Sequence, residues 1–193
     1  MDPENHRMIL YTAQTKPVLD ALERDGVCYN RECYIRSKHG EVSEDFLTVY
    51  RKFYRNAGKI LPPPEEAESA YWAFPDPRDL FLGDDQTLLR LEVPAEQVIL
   101  FDLYDWNRML QFRYLGADEQ EERAFARELE RRGLTEFEVL RSSFYPELRE
   151  KIIGSWGRLL RHHEALQRGD RTGVRAVQAG LWQLKKEWIL PGI

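Results

Sequence analysis

The sequence predicts an α+β domain. Two observations carry this. Apolar residues alternate in some segments and recur at helical spacing in others, and the strand segments gather before about residue 103 and return after about residue 174, with helix formers between. No internal repeat is visible. A chain of 193 residues supports one hydrophobic core, so the expected organisation is a single domain over 1–193, with a strand-rich core at about 8–103 and 174–190 and a helical segment at about 104–168.

Met8 to Thr12 reads as the first strand. Thr15 then stands where a helix cap is needed, Val18, Leu19 and Leu22 share one helical face, and Gly26 stops the helix. The segment from Ser43 to Asn56 has the strongest helical pattern. Glu44 and Asp45 suit its first turn, and Phe46, Leu47, Tyr50, Phe53 and Tyr54 recur at the right spacing. Pro62, Pro63 and Pro64 interrupt regular structure, because proline donates no amide hydrogen and pushes its predecessor out of the helical region.

Beyond that connector, Ala70 to Phe74 reads as a short buried strand and Pro75 to Asp79 as a rigid turn. Thr87 to Val93 alternates Leu89, Leu91 and Val93 with Arg90 and Glu92, so one face is wet. Val98 to Phe101 is apolar throughout and fits a strand covered on both faces. Helices are expected over Tyr104 to Tyr114, over Asp118 to Arg132 with only Phe125 and Leu129 as a docking stripe, and from Pro146 through Ile152 and Trp156 past His163. Gly169 to Gly173 is a loop, and Val174 to Leu184 supplies a closing strand.

Composition excludes several function classes. Charged residues make up 32% and hydrophobic ones 42%, a folded profile, and the formal charge of −5 argues against a general nucleic-acid coat protein. No stretch approaches the roughly 20 apolar residues of a membrane span, and Met1 to His6 lacks the basic and apolar regions of a secretory signal, so no membrane partner and a cytoplasmic address are expected. Cys28 and Cys33 allow at most one bridge. With His39 they fall short of a tetrahedral zinc set, and His162 and His163 point about 100° apart on a helix, so no metal is expected. Phosphate-cradling glycine fingerprints and nucleophile elbows are absent.

What remains is one basic segment and a few polar positions in apolar strands. Arg51, Lys52, Arg55 and Lys59 interleave with Tyr50, Phe53 and Tyr54, a combination able to hold phosphates and stack bases, although helical spacing alone explains the rings. Thr12 and Gln14 end the first strand, Tyr71 and Trp72 lie in the aromatic strand, and Gln178 interrupts the closing one. A buried polar group needs a partner, from neighbouring backbone or from a ligand.

Ile9 to Gln14, the helix ending at Gly26, Tyr71 to Phe74, Leu91 to Pro94 followed by Val98 to Leu100 and Asp102, Trp106, Ser155 and Trp156, and Val177 to Ala179 with Trp182 and Leu184 resemble, in that order, an uncharacterised bacterial domain family. The layout also resembles, more distantly, the ADP-ribosyltransferase superfamily, above all its DNA-modifying toxin branch. That resemblance implies a split strand-rich core with a helical segment inserted before the last strand, and NAD as substrate without a metal. By position it places Thr12, Tyr71 and Gln178 in the catalytic roles, Tyr11, Gln14, Trp72 and Arg78 around NAD, and a nucleic acid or protein as acceptor. It also implies a toxin or phage-defence setting, with a cognate antitoxin as a partner. Gln178 departs from the glutamate usual there, and Thr12 cannot supply a cationic contact; Glu92 or Glu187 could supply a carboxylate from elsewhere. The alternatives are a non-catalytic nucleotide or nucleic-acid binding module and a protein-interaction domain.

Overall fold

A computed structural model describes residues 6–191; residues 1–5, on which most of the signal-peptide reading rests, lie outside them. The chain runs β1 (Arg7–Thr15), α1 (Lys16–Asp25), β2 (Val27–Tyr29), α2 (Glu32–His39), α3 (Ser43–Ala57), β3 (Tyr71–Ala73), β4 (Gln86–Pro94) and β5 (Ile99–Asp102). It continues through α4 (Leu103–Leu110), α5 (Glu119–Arg131), α6 (Glu136–Arg141), α7 (Pro146–Ser155), α8 (His163–Gln167), β6 (Val177–Leu181) and β7 (Gln183–Lys185). This is an α+β arrangement of small antiparallel sheets and helices, as the segment pattern predicts.

β1 pairs β4 along its whole length, and β6 lies between β3 and β5. A bridge between Tyr11 and Phe74 joins the two sets, giving the order β4–β1–β3–β6–β5. β2 pairs β7 beside them. Alternation along each strand then sorts side chains to two faces. Leu10, Tyr71, Ala73, Leu100, Ala179 and Leu181 pack with Leu22 of α1 and with Leu184 and Trp188 on one side. On the other, Ile99 and Phe101 pack with Phe53 of α3 and Trp106 of α4 in a core that extends through the helical segment to Phe125, Val139, Ile152 and Trp156. Gly180 lets the rings close on the sheet: a Cβ there would sit 3.0 Å from the Phe53 ring and 3.4 Å from that of Trp72, tighter than ordinary contact.

Several elements form for the local reasons the sequence gives. Gly26 takes the left-handed conformation at φ 75° and closes α1 by donating its N–H to the Leu22 carbonyl at 3.0 Å. Asp118 caps α5, whose buried residues are Phe125 and Leu129. β5 is buried at every position. Asp102 ends it and caps α4, accepting from the Tyr104 N–H at 2.8 Å and, with its second oxygen, from the Arg175 N–H at 3.2 Å.

Other expectations are corrected. β2, α2 and α6 stand where the sequence reading left no element. The helix expected over Tyr104 to Tyr114 ends at Leu110, because Phe112 adopts φ 61° and turns the chain so that Tyr114 and Leu115 are buried. The long helix from Pro146 is broken into α7, a 3-10 turn at Trp156–Leu160, and α8. The closing strand is two strands, interrupted at Trp182, whose indole N–H donates to the Leu61 carbonyl at 2.7 Å. His163 of α8 is buried at 9% exposure, and its Nδ1 accepts the Leu100 N–H at 3.0 Å. Gln167 donates to the Ala95 and Val98 carbonyls in the turn before β5, so α8 satisfies backbone groups in and just ahead of that edge strand.

Candidate functional site

The polar strand residues divide between the two sheet faces. Thr12 and Gln14 lie on the side of Leu10 and Tyr71. Thr12 Oγ1 donates to the Trp72 carbonyl at 2.7 Å and accepts from Gln14 Nε2 at 2.7 Å. The Tyr71 hydroxyl lies 3.0 Å from Cys28 Sγ, and burial pushes its pKa well above the ordinary phenol value. These contacts are made within the protein.

Tyr11, Trp72 and Gln178 lie on the opposite face. Register places Arg90 beside Tyr11, Tyr11 beside Phe74, and Gln178 beside Phe101. Gln178 is 3% exposed, and its Oε1 has no hydrogen-bond partner; neither has Arg90 Nε in the same row. The Trp72 ring is wedged among Phe53, Phe101 and Trp106, with centroids 4.7–5.9 Å away. The sheet therefore separates Thr12 and Tyr71 from Gln178, and the three do not converge on one cleft. Arg78 stands apart from all of them. Its side chain is 88% exposed and chelates Asp76, whose carboxyl it holds down at about 2. Of the two carboxylates considered as substitutes, Glu92 shares the Gln178 face but lies at the sheet margin near Arg7, and Glu187 pairs with Lys185 in an exposed turn.

The basic segment behaves differently. Thr48, Lys52 and Arg55 recur at helical spacing and form one wall of an open groove of about 880 Å³. The opposite wall comes from the end of α6, the loop after it and the start of α7, and includes Arg141, Ser142, Ser143 and Arg149. Glu150 is the one carboxylate in the lining. Lys52, Arg55 and Arg149 make no ion pair among the described residues, and Lys59 in the turn after α3 makes none either. Partial burial, with the charges of Arg55 and Lys59 nearby, pushes the Lys52 pKa below its ordinary value. Like charges crowded without a counter-ion raise the energy of the free protein and favour an anion.

Arg51 is not part of this cluster. Its Nε and Nη2 clamp the Glu32 carboxylate at 2.7 and 2.6 Å on another side of α3. Arg141 is partly engaged, 3.6 Å from Asp45 and over the Phe137 ring. The residues that the sequence reading missed are therefore Arg141, Ser142, Ser143 and Arg149. The first three form a cationic, hydroxyl-rich run before Pro146 and Arg149 stands one turn into the helix after it, but nothing local shows that they face α3.

Among the described residues, no group of three or more His, Cys, Asp or Glu is placed to hold a metal ion, and no helix is long and apolar enough to cross a membrane. Both cysteines are free. Compared with known families, residues 9–190 match the model of a domain of unknown function, DUF3841. The chain belongs to that family. The match takes in both strand-rich ends, the helical segment and every residue of the groove. No curated protein and no solved structure matches the chain.

Proposed function

We propose that this DUF3841 domain is a binding module for a polyanionic ligand, a nucleotide or nucleic acid, which it holds in the groove between α3 and the α6–α7 loop. The observation that carries this reading is the gathering of Lys52, Arg55 and Arg149, with Lys59 close by, around one groove without acidic partners in a chain of net charge −5. The Ser142, Ser143 and Thr48 hydroxyls offer neutral donors beside them, and an open volume of about 880 Å³ suits a nucleotide-sized ligand or a short run of strand.

Titrating labelled oligonucleotide at low salt tests it. The Lys52→Glu, Arg55→Glu double variant should bind at least about tenfold more weakly. In the wild type, affinity should fall with salt by about 0.7 log units per log unit for each phosphate held. Unchanged affinity in the variant, or no binding by the wild type, would remove the reading.

One observation favours a second reading, an ADP-ribosyltransferase-like protein acting on NAD. The unpartnered Gln178 Oε1 shares a sheet face with half-buried Tyr11, Phe74 and Trp72, and a ligand donor would satisfy it. In this reading Gln178 holds a ribose hydroxyl, without the charge a glutamate would add. Nicotinamide release from labelled NAD by the wild type and its loss in Gln178→Ala would support it, and the absence of release and transfer with lysate acceptors would count against it.

A further inference from the structure

We propose that the occupant of the groove is a single-stranded nucleic acid, with the ring of Phe144 stacked on an unpaired base while Lys52, Arg55 and Arg149 hold phosphates. This rests on the groove being a polyanion site, and it names the ligand class. Phe144 is 86% exposed and follows directly on the groove-lining Ser142 and Ser143, two residues before the lining Pro146. Its backbone is held: the Phe144 N–H donates to Ser142 Oγ at 3.0 Å, and Pro146 starts α7 with a restricted φ. An apolar ring is thus presented to water from an anchored loop whose neighbouring residues Ser142, Ser143 and Pro146 line the groove.

The pairing of ring and cations selects the ligand. Bases in a duplex are already stacked on both sides and offer phosphates and edges, whereas a single strand offers free base faces at the spacing of its phosphates. An acidic peptide would use the cations and leave the ring without a role. The other strongly exposed phenylalanine, Phe81 at 88%, provides a contrast within the molecule, because it sits in a loop with Asp79, Asp84 and Asp85, where phosphates are repelled.

The test is fluorescence anisotropy with three labelled probes of equal length: a pyrimidine single strand, an abasic single strand and a duplex. Each is titrated into wild type, Phe144→Ala and Phe81→Ala, with thermal unfolding confirming that both variants fold. The wild type should bind the pyrimidine strand about tenfold more tightly than the abasic strand or the duplex, Phe144→Ala should erase that preference, and Phe81→Ala should keep it. Equal affinity for pyrimidine and abasic strands, tighter binding of the duplex, or a preference that survives in Phe144→Ala would overturn the proposal while leaving the groove a polyanion site. Failure of all three probes to bind the wild type would remove the groove reading with it.

Discussion

Two open grooves in the helical half are lined by arginines and are built in opposite ways. The smaller, of about 550 Å³, contains Arg108, Arg113, Arg123 and Arg175; the first three each have a carboxylate, Glu122, Glu136 and Glu119 respectively, and Arg175 lies over the Tyr104 ring. Behind it, Arg158 reaches Glu121 and the Leu115 carbonyl, and Arg161 reaches Asp105 and the Gly116 carbonyl. These arginines fasten the loop between α4 and α5 to the 3-10 turn at Trp156–Leu160. The larger groove has cations of the same kind, but Lys52, Arg55 and Arg149 make no ion pair among the described residues, and Glu150 is the one carboxylate in the lining. Arginine content alone therefore says little; the presence or absence of a partner separates a structural tie from a surface prepared for an external anion.

Three stability measurements sharpen or break that contrast. The largest effect is expected from Arg161→Met, which leaves the buried Asp105 carboxylate without its cation. Denaturant unfolding should show a loss of about 3 kcal/mol, and a loss below about 0.5 kcal/mol would mean that the paired network is ornamental. A smaller effect concerns acid. The Tyr114 hydroxyl, the Ala117 N–H and Arg158 hold the Glu121 carboxyl at about 2, below its ordinary 4.5. A depressed carboxyl stabilises the folded state above its unfolded pKa and loses that contribution as pH falls, here from 4.5 towards 2. Thermal scans across that window should show a falling Tm, with a shallower fall in Arg158→Met. The smallest effect is expected in the other groove: Lys52→Glu with Arg55→Glu, the pair chosen to weaken anion binding, should change stability by no more than about 0.5 kcal/mol in either direction. A large destabilisation there would show that these cations also serve the fold.

Legibility from the sequence follows the range of the interactions involved. β1, α1 with Gly26, α3 and α5 with its Phe125–Leu129 stripe are readable because periodicity, glycine conformation and, at α5, the Asp118 cap act within a few residues; Thr15 stands at the start of α1, but its side chain makes no cap hydrogen bond. α6 was just as local in origin, since Thr135 and Glu138 form a reciprocal capping box, but with six residues it offered too little periodicity to register. The early end of α4 and the break at Trp182 are not local. They follow from the burial of Tyr114 and Leu115, and from a hydrogen bond that Trp182 makes to a residue far away in the chain.

The candidate sites divide in the same way. Half of the groove was in the sequence, because Lys52 and Arg55 share a helix face whatever the rest of the chain does. Arg51, next to them, differs only in that Glu32 of α2 neutralises it, a contact outside its own helix. Likewise, Thr12, Tyr71 and Gln178 are all polar positions in buried strands, and alternation within one strand cannot say which face its neighbours turn to the same side. That depends on register between strands, which in this molecule puts Thr12 on the face of Tyr71 and Gln178 on the other.

By itself, then, the sequence determined the α+β class, the principal helices and strands, and one cationic helix face, all of which follow from short-range spacing. Tertiary structure decided which cations remain without partners, which strand residues share a face, and that the loop bearing Ser142, Ser143 and Phe144 lies across from α3. Each of these depends on the pairing of segments distant in the chain, where packing of the whole core, and no local preference, sets the outcome.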